Sequence, residues 1–152
     1  MSENSIVLRQ GQAQRVQLEK IPAAAFYPGH LVELTSADKV QKHSSAAGLT
    51  SPPMFAIEDE NQGNGIDEAF GTSDRAVCWI PQKGDWVLAI LADGQNVSIG
   101  SKLTSNGDGT LKVGTANISA IAMEAMDLSD SSGAETEDSA LGYDKRLWVM
   151  IV

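Results

Sequence analysis

Residues 84–114, GDWVLAILADGQNVSIGSKLTSNGDGTLKVG, decide the fold. Their apolar runs are broken at Asp93-Gly94 and at Asn106-Gly107-Asp108-Gly109, residue types that accept positive φ in tight hairpin loops. The stretch therefore reads as strand, turn, strand, turn, strand. It holds no histidine and no cysteine, so its punctuation serves architecture rather than chemistry.

The same period of two runs outward from it. In QRVQLEK, Val16 and Leu18 point to one face while Arg15, Gln17 and Glu19 point to the other, the pattern of a half-buried strand. Further strands are expected at 30–35, 38–42, 54–59, 75–80, 86–92, 96–99, 102–105, 110–113, 118–126 and 146–152. So many short strands between Gly and Pro turns predict an all-β domain, a compact β-barrel or β-sandwich, rather than a helical or α/β one.

One segment is ambiguous. In ISAIAMEAMDL, Ile118, Ile121, Ala122 and Ala125 would share a helical face. An internal comparison favours strand: LTSADKV, FAIEDE and RAVCWI, from Leu34, Phe55 and Arg75, recur in order as LTSNGDGTLKV, IAMEAMD and RLWVMI, from Leu103, Ile121 and Arg146. This aligns Ala56 and Glu58 with Ala122 and Glu124, and Arg75 with Arg146. The expected organisation is an extended N-terminal arm at 1–13 and a single β-domain at 14–152, with two similar halves at about 29–80 and 100–151.

Composition fits one folded domain. Within 152 residues, 42% are apolar but only 5% aromatic, so the core must be mainly Val, Ile, Leu and Ala. A net charge of -9 opposes a phosphate backbone, and no nucleic-acid partner is expected. The single Cys78, inside RAVCWIP, reads as a small buried thiol. MSENSIVLRQGQAQ has neither the basic nor the apolar region of a secretory signal, and the apolar run 86–92 is far below the roughly 20 residues of a membrane-spanning helix. A soluble chain made in a cytoplasm, with no membrane partner, is expected.

Catalytic parts are hard to assemble from this sequence. His30 and His43 lack metal-ligand spacing and have no Cys or His cluster beside them, so no metal is expected. No serine stands in a G-x-S-x-G elbow, and GNG at 63–65 lacks the helix a phosphate loop needs. The adjacent pairs Glu58-Asp59 and Asp67-Glu68 point apart on a strand. No catalytic residue, no cofactor and no enzymatic activity are expected. Residues 124–144 carry acidic side chains and no basic one, which predicts a solvated excursion whose deletion, from 129 to 139, leaves the melting temperature nearly unchanged. An EF-hand reading fails because Gly133 would put Leu128 at the first ligand position.

The apolar strands without a polar side call for cover. WVLAILA is apolar on both faces, and in RLWVMIV Leu147, Val149 and Ile151 face one way while Trp148, Met150 and Val152 face the other. A second sheet, another subunit or a partner must cover the opposite faces.

Residues 28–152 resemble the head-decoration, or capsid cement, proteins of tailed bacteriophages. The resemblance rests on PGHLVELTSADKVQKHSS, PPMFAIEDENQGNGIDEAF, DRAVCWIPQKGDWVLAILADGQNVSIGSKLTSNGDGTLKVG, AIAMEAMDLSD and RLWVMIV, and is most specific from Gly-Asp at 84–85 through the Gly-Asp-Gly hairpin at 107–109. The acidic stretch 124–144 matches no fixed motif of the family. The resemblance implies a compact β-barrel or β-sandwich without enzymatic activity, attached to the major capsid protein on the outer virion surface, bridging and stabilising neighbouring capsid subunits. A homo-oligomer is expected, a trimer favoured over a dimer. In the arm, Ile6-Val7-Leu8 reads as a short tethered strand that adds to a sheet edge on the capsid or a neighbouring copy. These three residues, with Trp86 and Trp148, are the candidate interface, and truncating 1–11 is expected to preserve folding while weakening attachment. The alternative is a carbohydrate- or receptor-binding β-domain, with Trp79, Trp86 and Trp148 as its stacking platform.

Overall fold

The computed structural model describes residues 6–8, 16–50, 52–63, 65–129 and 145–152. Its strands are β1 (Val7–Leu8), β2 (Val16–Lys20), β3 (Val32–Leu34), β4 (Val40–Lys42), β5 (Phe55–Ile57), β6 (Ala76–Ile80), β7 (Trp86–Ile90), β8 (Asn96–Val97), β9 (Lys102–Ser105), β10 (Leu111–Val113), β11 (Ala120–Ala122), β12 (Met126–Asp127) and β13 (Arg146–Ile151). The fold is all-β, in several sheets that close no barrel. A six-stranded antiparallel sheet has the order β1-β7-β13-β11-β9-β10, and a three-stranded one the order β2-β6-β5. Hairpin β3-β4 and the pair β12-β8 complete it. The ambiguous segment is strand interrupted by a bend: β11 ends at Ala122 and β12 starts at Met126, too short a span for a helix between them.

Alternation explains the core. The inward faces of the six-stranded sheet supply Val87, Ala89, Leu103, Ala120, Ala122, Leu147 and Val149, all fully buried. Phe55, Ile57, Val77 and Trp79 of the three-stranded sheet pack into the same cluster. Because side chains alternate along a strand, Ala76, Cys78 and Ala56 point the opposite way, into a second cluster with Phe26, Val32, Val40, Met54 and Phe70. AVCWI is apolar on both faces because β6 has a core on each side.

Gly29 joins the two sheets. Its N–H donates to Ala56 O at 2.8 Å, and its carbonyl accepts Ile90 N–H at 3.2 Å. At φ +100° a Cβ would sit 3.1 Å from Leu88 O and 3.2 Å from Arg146 Nε, so only glycine fits without strain. Gly109 plays a similar part between distant segments: Leu31 N–H donates to its carbonyl at 2.8 Å, and a Cβ would meet Lys42 Cγ at 2.9 Å.

The arm corrects one expectation. Ile6 is fully buried in the main cluster rather than held out for a partner. Val7 and Leu8 pair with Val87 and Trp86 of their own chain, and Ile6 O accepts Leu88 N–H at 2.8 Å. Edge addition does occur, but on β7, whose apolar neighbours bury Ile6 far better than a free tether would. The rest of the expected arm, and residues 130–144 of the acidic stretch, lie outside the described residues.

Cys78 lies on the second-cluster face of β6 with no exposed surface, and burial pushes its thiol up to about 12. The folded protein should therefore resist a thiol-specific chromogenic reagent at neutral pH and release one equivalent of chromophore only in denaturant. Rapid release from the native chain would contradict the burial.

Candidate interaction surface

The outer face of the six-stranded sheet is built by the residues that alternate with the core. Register places Met150 opposite both Trp86 and Ile121, and Trp148 opposite Leu88, so these side chains share one face. One end is closed. Arg146 and Ile90 are buried there, and Arg146 donates Nε to Pro28 O (3.1 Å), Nη2 to Ile66 O (2.6 Å) and Nη1 to Asp67 Oδ1 (3.2 Å). Burial lowers the Arg146 pKa, against the raising effect of Asp67. Next to it, fully buried Lys145 Nζ lies 2.7 Å from Asp93 Oδ1. These two cations fix the start of β13.

The other end is only partly covered, with Trp148 packed against the main cluster. Trp86, Ile121, Trp148 and Met150 are each half-buried, a patch of aromatic and flexible apolar side chains on a rigid sheet. The backbone beneath is satisfied: Trp148 N–H donates to Glu124 Oε1 at 2.8 Å and Trp148 O accepts Met123 N–H at 2.9 Å. Of the five candidate interface residues, the structure thus brings Trp86 and Trp148 to one open face and buries Ile6. Trp79, the third member of the imagined stacking platform, has no exposed surface.

A second apolar surface, which sequence reasoning missed, lies beside β2, β3 and β6. Leu18, Val32, Leu34, Leu49, Pro52, Met54 and Ile80 line a cleft of about 300 Å³ with Glu33 and His43 at its polar wall. Leu34 and Leu49 are 52% and 73% exposed, which marks the cleft rim as apolar surface rather than core. Partial burial raises the Glu33 pKa, but hydrogen bonds from Ser44 Oγ and Gln41 Nε2 outweigh it and hold the carboxyl below its usual range.

Beside that cleft stands the nearest approach to catalytic machinery. His43 Nδ1 lies 2.8 Å from Ser105 Oγ, and His43 Nε2 lies 3.3 Å from Leu49 O and 3.6 Å from Glu33 Oε1, a loose acid–imidazole–hydroxyl line. It fails as a nucleophile on access. Ser105 is fully buried and its Oγ accepts Gly107 N–H at 3.2 Å, so no substrate carbonyl reaches it. The line is structural: it fastens hairpin β9-β10 to the segment after β4. Among the described residues no group of three or more His, Cys, Asp or Glu is placed to hold a metal ion. No helix among them is long and apolar enough to cross a membrane.

No protein-family model matches this chain, and no curated protein is significantly similar to it.

Proposed function

We propose that this protein is a non-enzymatic capsid decoration, or cement, protein of a tailed bacteriophage. It binds the major capsid protein on the outer surface of the shell, as a homo-oligomer, and stabilises the shell by bridging neighbouring subunits. The observation that carries this reading is the open patch Trp86, Ile121, Trp148 and Met150 on a rigid sheet: aromatic and Met side chains in a partly dehydrated cluster are what protein interfaces concentrate. The resemblance of residues 28–152 to decoration proteins supports it, and the net charge of -9 suits an exterior surface remote from packed DNA. Bridging needs no chemistry, since each second contact is made at high effective concentration once the first has formed.

Co-sedimentation with undecorated phage shells tests the proposal. Wild-type protein should saturate the shells, while Trp86→Gln should weaken attachment by about tenfold or more with little change in melting temperature, as for a central interface aromatic. No attachment by the folded wild type would sink the reading. Light scattering tests the oligomer separately, because a monodisperse species at 16.1 kDa excludes self-assembly.

A second reading is favoured by one observation, that two tryptophans share the half-open face. Aromatic rings on such a face can stack on sugar rings, and saturable binding in a glycan screen that is lost in Trp86→Gln would move the protein to a carbohydrate-binding role.

A further inference from the structure

Among the described residues, strand β2 has one edge bonded to β6 and one edge with no strand beside it. Ala56 N–H and C=O pair with His30 O and Gly29 N–H, away from β6, so Phe55 and Ile57 bond to Trp79 and Val77. Alternation then turns Ala76, Cys78 and Ile80 toward β2, where Val16, Leu18 and Lys20 meet them. The N–H and C=O groups of Gln17 and Glu19 therefore point away from the sheet. Among the described residues their one partner is the Arg75 guanidinium, 3.5 Å from Glu19 O.

The other sheet shows what fits such an edge. The strand order β2-β6-β5 repeats as β7-β13-β11, and the registers coincide: Ala56 pairs with Cys78 and Ala122 with Val149, each three residues beyond an arginine that opens the segment, Arg75 and Arg146. Leu18 pairs with Cys78 as Val87 does with Val149, so Glu19 occupies the place of Leu88. Leu88 N–H is taken by Ile6 O, just before the added strand β1. Further along, Ile90 N–H is taken by Gly29 O, and in the matching place Ile21 O accepts Val40 N–H. Among the described residues, no counterpart of β1 lies beside β2 in the three-stranded sheet.

We infer that the outer edge of β2 receives an extended strand from a partner protein, in which apolar residues alternate with Lys or Arg. The alternation follows from the two faces of β2. On one, Val16 is 49% exposed beside Leu18 and Ile80, which open onto the apolar cleft of Leu34, Leu49 and Met54. On the other, Gln17 and Glu19 stand over a polar hollow shared with Glu58 and Asp59, which complements cationic side chains. The inference deepens the binding-domain reading by naming the chemistry of one contact.

The probe is a fluorescein-labelled peptide of alternating valine and lysine, followed by fluorescence anisotropy and run without shells. Saturable binding is expected, and it should fall by about tenfold or more with Glu19→Pro, which removes an outward N–H but no ladder bond. Far-UV circular dichroism and melting temperature check that this variant folds. Glu19→Lys, at an exposed position, should shift preference to a valine–glutamate peptide, and N-methylation of alternate amides in the probe should abolish capture. No saturable binding by the wild type, or undiminished binding by both Glu19 variants, overturns the inference. So does a β2-mediated homodimer that Glu19→Pro dissociates, because the edge would then belong to a second copy. Shell attachment is read separately, so a failed capsid reading and a failed edge are told apart.

Discussion

Replacing Arg146 by Met should lower stability by about 3–5 kcal/mol, the range for removing one side of a buried charged network. The Arg146 side chain has no exposed surface and reaches three acceptors on two segments far away in sequence, Pro28 and the pair Ile66 and Asp67. Methionine fills a similar volume, so the loss comes from buried carbonyls stripped of donors rather than from a cavity. Asp67 contributes little to that loss, since its side chain is 67% exposed and stays hydrated. For a chain of this size the midpoint should drop by about 10 °C. Arg146→Lys keeps the charge but not the planar fork of donors, and should recover only part of the loss. Urea unfolding of the three proteins measures it, and a Met variant within about 1 kcal/mol of wild type would refute the account.

Removing residues 1–8 should be nearly as damaging. The truncation takes Ile6 from the core, two paired residues from the edge of β7 and the donor that Ile6 N–H offers to Glu58 Oε2 at 3.0 Å. Ile6→Ala alone should cost about 2–5 kcal/mol, the range for emptying a buried aliphatic site. The truncated chain also bares Leu88 N–H on a long apolar strand, which favours edge-to-edge aggregation. Thermal melts and size-exclusion profiles check both effects. Unchanged melting of the truncated chain would restore the arm to the role expected from its sequence, a tether serving another molecule.

The strands around 84–114 were legible because alternation and glycine turns are local signals; β9 falls on Lys102–Ser105, where the pattern puts it. Two-faced apolar runs announced that cover was needed, but not its source. For β6 the cover is Phe26, Val40 and Phe70, and Phe26 and Phe70 lie in irregular segments with no period to read. Ile6 was misjudged for a related reason: polar neighbours made it look peripheral, whereas its burial is decided by β7, about 80 residues later. The contact of His43 with Ser105 spans 62 positions and neither residue carries a local mark, so no motif search finds it. Trp86 and Trp148 stood out as aromatics in strands, yet only register shows that they share a face.

Strand β13 follows every other strand in the chain, and it occupies the interior of the six-stranded sheet between β7 and β11. During synthesis the earlier strands leave the ribosome without the element that joins them. Until Arg146–Ile151 emerges, β7 and β11 each present an edge that the finished protein never shows, and β1 has only half of its sheet to dock on. Assembly of this sheet thus waits for β13, and a ribosome paused before codon 146 holds a chain exposed to strand exchange with its neighbours on the same message. The two buried cations that open β13 then act as a latch, drawn in only after β7 and β11 have both been made.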